Sequence, residues 1–126
     1  MEPRNRGDII AVAHVPQLQL LEKVAVFVTH GGANSVMEAL YYGVPMLVVP
    51  YHLEQPLQAH FVVKSGTGRS ILSSNASVAG LRTALEEIGD PTGSARRNTV
   101  RVQNSYRVRD GAKESAALIV ALAQAR

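Results

Sequence analysis

The stretch VAVFVTHGGANSVMEALYYGVPMLVV, residues 24–49, decides the fold. It opens with an almost wholly apolar run, residues 24–29, as expected for a parallel strand that is covered on both faces. A helix is predicted from about Ser35 to Tyr42, because Gly43 with Pro45 just beyond it forms a stop signal. The apolar residues 46–49 then predict another strand. The stretch is typical of a strand-helix-strand unit.

The flanking sequence continues this alternation. Before it, DIIAVA at residues 8–13 predicts a short buried strand, because isoleucine and valine are β-branched, and Pro16 then opens a short helix. After it, residues 54–65 predict a helix and residues 69–72 a weaker strand. Strands that alternate with helices in this way indicate an α/β fold with a parallel sheet.

Residues 73–126 have a helical pattern instead. Ser77 is placed to cap a helix that ends near Pro91 and Gly93, and two further helices follow it. The residues predicted to share one side of each helix are, in order, Val78, Leu81, Leu85 and Ile88; Ala95, Thr99, Val102 and Tyr106; and Ala112, Ala116, Ile119 and Ala123. We find no internal repeat and no linker, so residues 1–126 are predicted to be one domain, with residues 8–72 as its core and residues 73–126 as C-terminal helices.

Composition sets limits on the class of protein. A chain of 126 residues with 46% hydrophobic and 18% charged residues is globular rather than disordered, and has room for one core. It has no cysteine, which excludes disulfides and thiolate metal sites and favours a reducing, cytoplasmic location. No apolar run approaches the roughly 20 residues of a membrane span, so no span is expected.

The loop after residues 24–29 has the chemistry of a phosphate site. In open parallel sheets, ligands bind beyond the carboxyl ends of the strands, where helix N-termini present unpaired N–H groups. Gly31 and Gly32 let the backbone approach an anion closely, and Asn34 and Ser35 add donors at the mouth of the helix. Two glycines lack the third of the dinucleotide fingerprint, which disfavours a dehydrogenase.

Two residues of this cluster have competing interpretations. Glu38 can accept hydrogen bonds from neighbouring sugar hydroxyls, such as those of a ribose. Ser35 and Glu38 also match a capping box, which needs no ligand and is slightly favoured on the spacing alone. His30 either donates to a phosphate or is a partly buried histidine bonded to a carbonyl.

Two more polar clusters follow strands. Glu54 and Gln55, after the strand at residues 46–49, can bind hydroxyls of a hexose, although a first-turn glutamate that complements the helix dipole is the simpler interpretation. His14 and Gln17 follow the first strand and can place a flat ring and an amide against a base. The alternative is a turn with a solvated histidine.

In combination these elements resemble a known family. The order His-x-Pro-Gln, then Thr-His-Gly-Gly-x-Asn-Ser-x-x-Glu-Ala-Leu, then Gly-Val-Pro, then Glu-Gln is similar to the nucleotide-sugar signature of family-one glycosyltransferases, which include UDP-glucosyl and macrolide or antibiotic glycosyltransferases. The resemblance covers residues 8–72, about half of the chain. It implies the C-terminal, donor-binding domain of a GT-B enzyme, with a Rossmann-like parallel sheet.

The resemblance also implies roles for individual residues. It assigns stacking on the nucleobase to His14, a place near base and ribose to Gln17, and ribose binding to Glu38. It assigns the diphosphate to His30, Gly31, Gly32, Asn34 and Ser35, and the donor sugar to Glu54 and Gln55. Many members have Trp in place of His14, which leaves UDP and TDP donors open, and Asp in place of Glu54.

The family's donor domain begins with two strand-helix units that have no counterpart here. In a doubly wound sheet those strands lie between the strand at residues 8–13 and that at residues 24–29, so a gap in the sheet is expected. We therefore expect a fragment, or a subunit that needs a partner half, with a weak affinity for nucleoside diphosphate and no transfer by itself.

For the parent enzyme, the resemblance implies transfer of a hexosyl group from a UDP- or TDP-hexose to a hydroxyl acceptor, without a metal or other cofactor. His30, the loop amides and the helix N-terminus would stabilise the leaving diphosphate. The acceptor base would be a histidine outside this chain, so no catalytic base is assigned here.

Three alternatives remain open at this point. An enzyme like the UDP-N-acetylhexosamine epimerases would use the same architecture, and a non-catalytic nucleotide-sugar-binding subunit would complete its sheet with a partner. The third is a nucleic-acid surface: residues 64–126 hold 10 basic and 5 acidic residues, while residues 1–63 hold 3 and 5. The lack of interleaved aromatic residues argues against it, and we expect no nucleic-acid partner.

Overall fold

The computed structural model describes residues 4–6 and 9–125. Its strands are β1 (Arg4–Arg6), β2 (Ile9–Ala11), β3 (Phe27–Thr29), β4 (Met46–Val48) and β5 (Gly68–Ser70). Its helices are α1 (Gln17–Leu21), α2 (Ala33–Tyr42), α3 (Gln55–Lys64), α4 (Val78–Gly89), α5 (Ser94–Arg107) and α6 (Gly111–Gln124), with a 3₁₀ turn at Ser73–Asn75.

Three of the strands form a parallel sheet in the order β3-β4-β5. Its register sets Thr29 beside Val48 and Val48 beside Ser70, so the three strands end at the same edge. The α/β class and the parallel sheet are therefore confirmed. β4 is the central strand, and its three residues are 0% exposed, because helices cover both faces of the sheet.

The core lies in two layers, one on each face of this sheet. Met46 and Val48 face a cluster that α1, α2 and α3 complete with Leu21, Val36, Ala39, Ala59 and Val62. Leu47 faces the other way, toward a smaller cluster with Ala84, Ile88 and Ala95 of α4 and α5. Since successive side chains of a strand point to opposite faces, three consecutive apolar residues serve both layers.

The first predicted strand differs from the structure in place and in burial. The prediction was a buried strand at residues 8–13 in the parallel sheet, but β2 covers Ile9–Ala11 and pairs antiparallel with β1. Ile9 and Ile10 are 66% and 75% exposed, so the burial prediction is wrong. β-branched residues favour a strand but choose neither its partner nor its burial, and here the partner is β1, separated from β2 by two residues. Residue 8 lies outside the described residues. The gap expected in the sheet between β2 and β3, where the family's two further strands would lie, stays a prediction.

Start and stop signals from the sequence fall close to the observed ends of the helices. Gly43 ends α2 in the left-handed conformation, at φ 71°, and its N–H donates to Leu40 at 3.1 Å. Ser77 caps α4, with its hydroxyl accepting from the Gly80 amide at 3.1 Å. α2 begins at Ala33, two residues earlier than predicted.

The C-terminal helices bury less than their patterns predict. In α5, Ala95 and Thr99 are buried, as predicted. In α4, Ile88 is buried, but Val78 is 79% exposed. Residues 111–125, which form α6 and its C-cap, are all exposed. This includes the side of α6 that was predicted to pack against the core. None of the described helices is long and apolar enough to cross a membrane.

Candidate functional site

Two loops meet at the edge where the parallel strands end. Residues 30–32 connect β3 to α2, and residues 49–54 connect β4 to α3. The loops start side by side, since the Val49 amide donates to the Thr29 carbonyl at 2.8 Å. Both predicted clusters, at residues 29–35 and 50–55, therefore belong to one region, as expected for parallel strands.

Gly31 holds a position that no other residue type fits without strain. Its φ is +86°, and a Cβ built on it would lie 2.6 Å from Cγ1 of Val48. Its N–H donates to the buried Thr29 hydroxyl at 3.2 Å, which closes the turn behind the strand. Thr29 is thus a structural member of the loop that the sequence reasoning left without a role. The sequence signal for this role was the hydroxyl residue directly before His-Gly-Gly, which can accept a hydrogen bond from the glycine loop.

Gly32 is the N-cap of α2, and no side chain caps the helix. The first turn of a helix has N–H groups without helical partners, together with the positive end of the helix dipole. Their free energy is lowered by an anion or by water in front of them. The capping box that the sequence slightly favoured is absent, because the helix starts at Ala33 and places Ser35 and Glu38 inside it.

A depression of about 330 Å³ opens in front of this helix end. The imidazole of His30 lies beside Gly32, with Nε2 2.9 Å from the position of a Cβ on that glycine. The lining residues are His30, Gly32, Ala33, Asn34, Ser35 and Glu54. The structure therefore gathers five of the predicted nucleotide-sugar residues around one open space, with a helix N-terminus at its base.

A second group of predicted residues is joined by hydrogen bonds. Nε2 of Gln17 donates to Oε2 of Glu38 at 2.7 Å and to Oγ of Ser35 at 3.3 Å. Ser35 also lines the depression, so it connects the two groups. Glu38 lies one turn further along α2, beside a neighbouring hollow that Leu18 and Tyr41 help to line.

Gln55 and His14 are placed differently. Gln55 is 7% exposed, and its side-chain oxygen Oε1 accepts from the Tyr51 amide at 2.8 Å and the His52 amide at 3.2 Å. The side-chain amide of Gln55 therefore holds the loop after β4. His14 is exposed in the loop before α1. Among residues 4–6 and 9–125 its ring has no hydrogen bond, ion pair or ring contact, and its stacking role stays a prediction.

The site differs in character from a larger groove elsewhere in the described part of the chain. That groove, of about 460 Å³, lies between α2, α3 and α5, away from the strand ends, and is mostly apolar. Its lining has no helix N-terminus and no glycine loop, and its one charged side chain is that of Lys64. Within the described part of the chain, no group of three or more His, Asp or Glu residues is placed to hold a metal ion.

The chain is similar to known proteins both in sequence and in structure. The family model described as UDP-glucoronosyl and UDP-glucosyl transferase matches residues 3–105. The NDP-glycosyltransferase YjiC of Bacillus licheniformis is 44% identical over 78 residues, which is 61% of this chain and 20% of that protein. The chain spans about a fifth of the length of the curated relative.

Two solved structures have the same fold. The glycotransferase of kitacinnamycin gives a TM-score of 0.78 at 37% identity, covering 84% of this chain and 27% of its own. The glycosyltransferase VinC, solved in complex with DTDP, gives 0.86 at 25% identity, covering 96% and 30%. The predicted Rossmann-like sheet of a GT-B glycosyltransferase is thereby confirmed.

Proposed function

The chain belongs to the UDP-glucoronosyl and UDP-glucosyl transferase family, and we propose that it binds the nucleotide-sugar donor of a hexosyltransferase. The donor would be a UDP- or TDP-hexose, and the acceptor a hydroxyl compound. The family description, which names UDP-sugars, and the DTDP found with VinC support this donor class.

One observation carries the proposal: the ten-residue helix α2 has no side-chain cap, and its N-terminus follows a glycine loop and faces a polar depression. In the proposed complex the diphosphate lies in front of Gly32, Ala33 and Asn34 and accepts hydrogen bonds from their amides. His30 donates from the side. The helix dipole and the N–H groups together offer a fixed positive potential, which suits two phosphates.

The remaining contacts of the donor would lie on either side of the diphosphate. On the side of α1, Glu38 accepts from the ribose, and His14 with Gln17 lies toward the base. On the side of α3, Glu54 accepts from hydroxyls of the hexose. Its loop is fixed by hydrogen bonds to the side-chain oxygen of Gln55. A carboxylate is well suited to this role because it accepts several hydrogen bonds.

In the proposed reaction this site stabilises the leaving group. When the bond to the anomeric carbon breaks, negative charge grows on the diphosphate, and the amides, His30 and the dipole already point at it. This needs no cation, so we propose transfer without a metal or another cofactor. We assign no catalytic base in this chain, and propose that a partner half provides both the base and the acceptor pocket.

The binding proposal is tested by titrating the chain with UDP and, separately, with uridine in a calorimeter. We expect UDP to bind and uridine to bind at least about tenfold more weakly, since charge-assisted hydrogen bonds to the diphosphate contribute most. Glu38→Gln is expected to weaken UDP binding about tenfold. The matched control is Glu86→Gln, at an exposed position of α4. It removes the same charge and should leave UDP binding unchanged.

An equal affinity for uridine and UDP, or an equal loss in both variants, would contradict the assignment. The second part is tested by incubating the chain with a UDP-hexose and a phenolic acceptor. We expect no glycoside from the chain alone, and its formation would show that the base lies within these residues. The cytoplasmic location stays a prediction, which fractionation of the producing cells tests.

A further inference from the structure

Gln17 has an unusual pair of contacts for a residue of a short surface helix. Its amide nitrogen bonds two side chains of α2, the carboxylate of Glu38 at 2.7 Å and the hydroxyl of Ser35 at 3.3 Å. A carboxylate only accepts hydrogen bonds, so the NH₂ group of the amide has to face it, whichever way the amide is drawn. The orientation of Gln17 is therefore set by Glu38.

The fold keeps Gln17 at this place. α1 is anchored by Leu21, which is 2% exposed and packs in the same cluster as Val36 and Ala39 of α2. Gln17 lies four residues before Leu21, on the same side of α1, so that it also faces α2. Ser35 and Glu38, three residues apart, share the side of α2 that faces it.

From this arrangement we infer that Gln17 is a positioning residue, which holds the Glu38 carboxylate in the orientation that accepts the ribose 2′-hydroxyl. The inference rests on the proposed function. A glutamate on a helix surface has three side-chain torsions, and ordering them on binding opposes association. The bond from Gln17 orders them beforehand and occupies one lone pair, which leaves the others free for hydroxyls.

The same bond affects Ser35. Since its oxygen accepts from Gln17, its hydroxyl hydrogen is free to donate elsewhere, and Ser35 lines the depression at the helix end. Gln17 thus links the ribose carboxylate to the diphosphate site. Its effect should be selective: the ribose contact depends on Gln17, whereas the backbone amides that face the diphosphate do not.

The experiment compares the affinity for UDP with that for 2′-deoxy-UDP, which lacks one hydroxyl. We expect the wild-type chain to prefer UDP by about tenfold, as one hydrogen bond to a charged group. Gln17→Met keeps the length of the side chain and removes the donor. In this variant we expect the preference to fall by about threefold to tenfold, with binding of inorganic diphosphate within about twofold of the wild type.

Gln19→Met is the matched control, since Gln19 is an exposed residue of the same helix. It should leave the preference unchanged. A second variant, Gln17→Asn, keeps the amide but shortens its reach, and should lower the preference as well. In a Glu38→Gln background, Gln17→Met should have no further effect on the ratio of the affinities for UDP and 2′-deoxy-UDP. Thermal unfolding of each variant is measured to check that the fold is retained.

The outcomes separate this inference from the proposed function. Failure of the wild-type chain to bind UDP overturns the proposed function. An unchanged preference in Gln17→Met overturns the positioning role alone, as does an equal loss of both nucleotides, which a purely structural role or a direct contact with the base would give. A preference that rises instead identifies Gln17 as a competitor for the carboxylate, which also refutes the inference.

Discussion

Replacing Gly31 with alanine should destabilise the chain more than any other single methyl group added to the site. The glycine has a φ of +86°, and the Cβ of an alanine there would lie 2.6 Å from Cγ1 of Val48 and 3.5 Å from the backbone carbonyl oxygen of Gln55. Val48 is fully buried and packs in the main cluster, so it has little room to move away. Both the backbone and the packing oppose the substitution.

The magnitude follows from these two effects. Holding a non-glycine residue in the left-handed region costs about 1–2 kcal/mol, and forcing a methyl group into a packed core costs about 1–3 kcal/mol. We therefore expect Gly31→Ala to lower the free energy of unfolding by about 2–5 kcal/mol, a large part of the 5–15 kcal/mol that is typical of a domain.

The assay is urea unfolding followed by circular dichroism, with Gly111→Ala as the control. A Cβ on Gly111 meets no atom within 4 Å, and the residue begins α6, where alanine is the better helix former. The control should therefore be neutral or slightly stabilising. In a Val48→Ala background, the cost of Gly31→Ala should fall by the share that belongs to the clash.

A free energy of unfolding for Gly31→Ala within about 0.5 kcal/mol of the wild type would refute this reasoning. It would mean that the loop after β3 adopts another conformation than the one described. The same cost with and without Val48→Ala would instead assign the whole effect to the backbone.

Three further predictions concern the site, the pH dependence and the last helix. Gly32→Ala should weaken UDP binding with little loss of stability, because its Cβ would displace the His30 imidazole without backbone strain, as titration and unfolding together would show. The amide of Thr92 donates to Asp90, as does its hydroxyl, and this holds the pKa of that carboxyl below its ordinary value. The resulting stability is present above about pH 4 and is lost as the pH falls through the lowered pKa, so Asp90→Asn should flatten the acid end of a plot of unfolding midpoint against pH. Removing residues 111–126 should change the free energy of unfolding of the rest by less than about 1 kcal/mol, since α6 buries none of its residues, and a larger loss by urea unfolding would contradict this.

Local signals were sufficient for the central unit of the fold. Residues 46–49 are apolar without a break, which marks a strand covered on both faces, and Gly43 with Pro45 ends the preceding helix. The turn at Gly31 was predictable because two glycines follow a strand, and Gly31 has a φ of +86°. These features depend on neighbours in sequence, and the structure has the end of α2 and the strand β4 within one residue of the predicted places. By contrast, β3 begins three residues later than predicted, and Val28 is 51% exposed, because β3 is an edge strand.

Features that depend on distant neighbours were not predictable. The Ser35 and Glu38 pair fits a capping box by spacing, but the start of α2 is set by Gly32, so Gln17 bonds both side chains from another helix. Gln55 has the residue type of a sugar ligand, yet its carbonyl is bonded to the loop backbone. The apolar residues of β2 predicted burial, but Ile9 and Ile10 are exposed, because β2 pairs with β1 outside the parallel sheet whose faces the helices cover.

The most direct measurement is a nuclear magnetic resonance titration of the isotope-labelled chain with UDP, read at the backbone amides. The account predicts that the signals of residues 32–35 shift first and furthest, that the side-chain signals of His30 follow them, and that the amides of α4 stay in place. Shifts that centre on the apolar groove between α2, α3 and α5, or no shift at saturating UDP, would contradict a diphosphate site at this helix end.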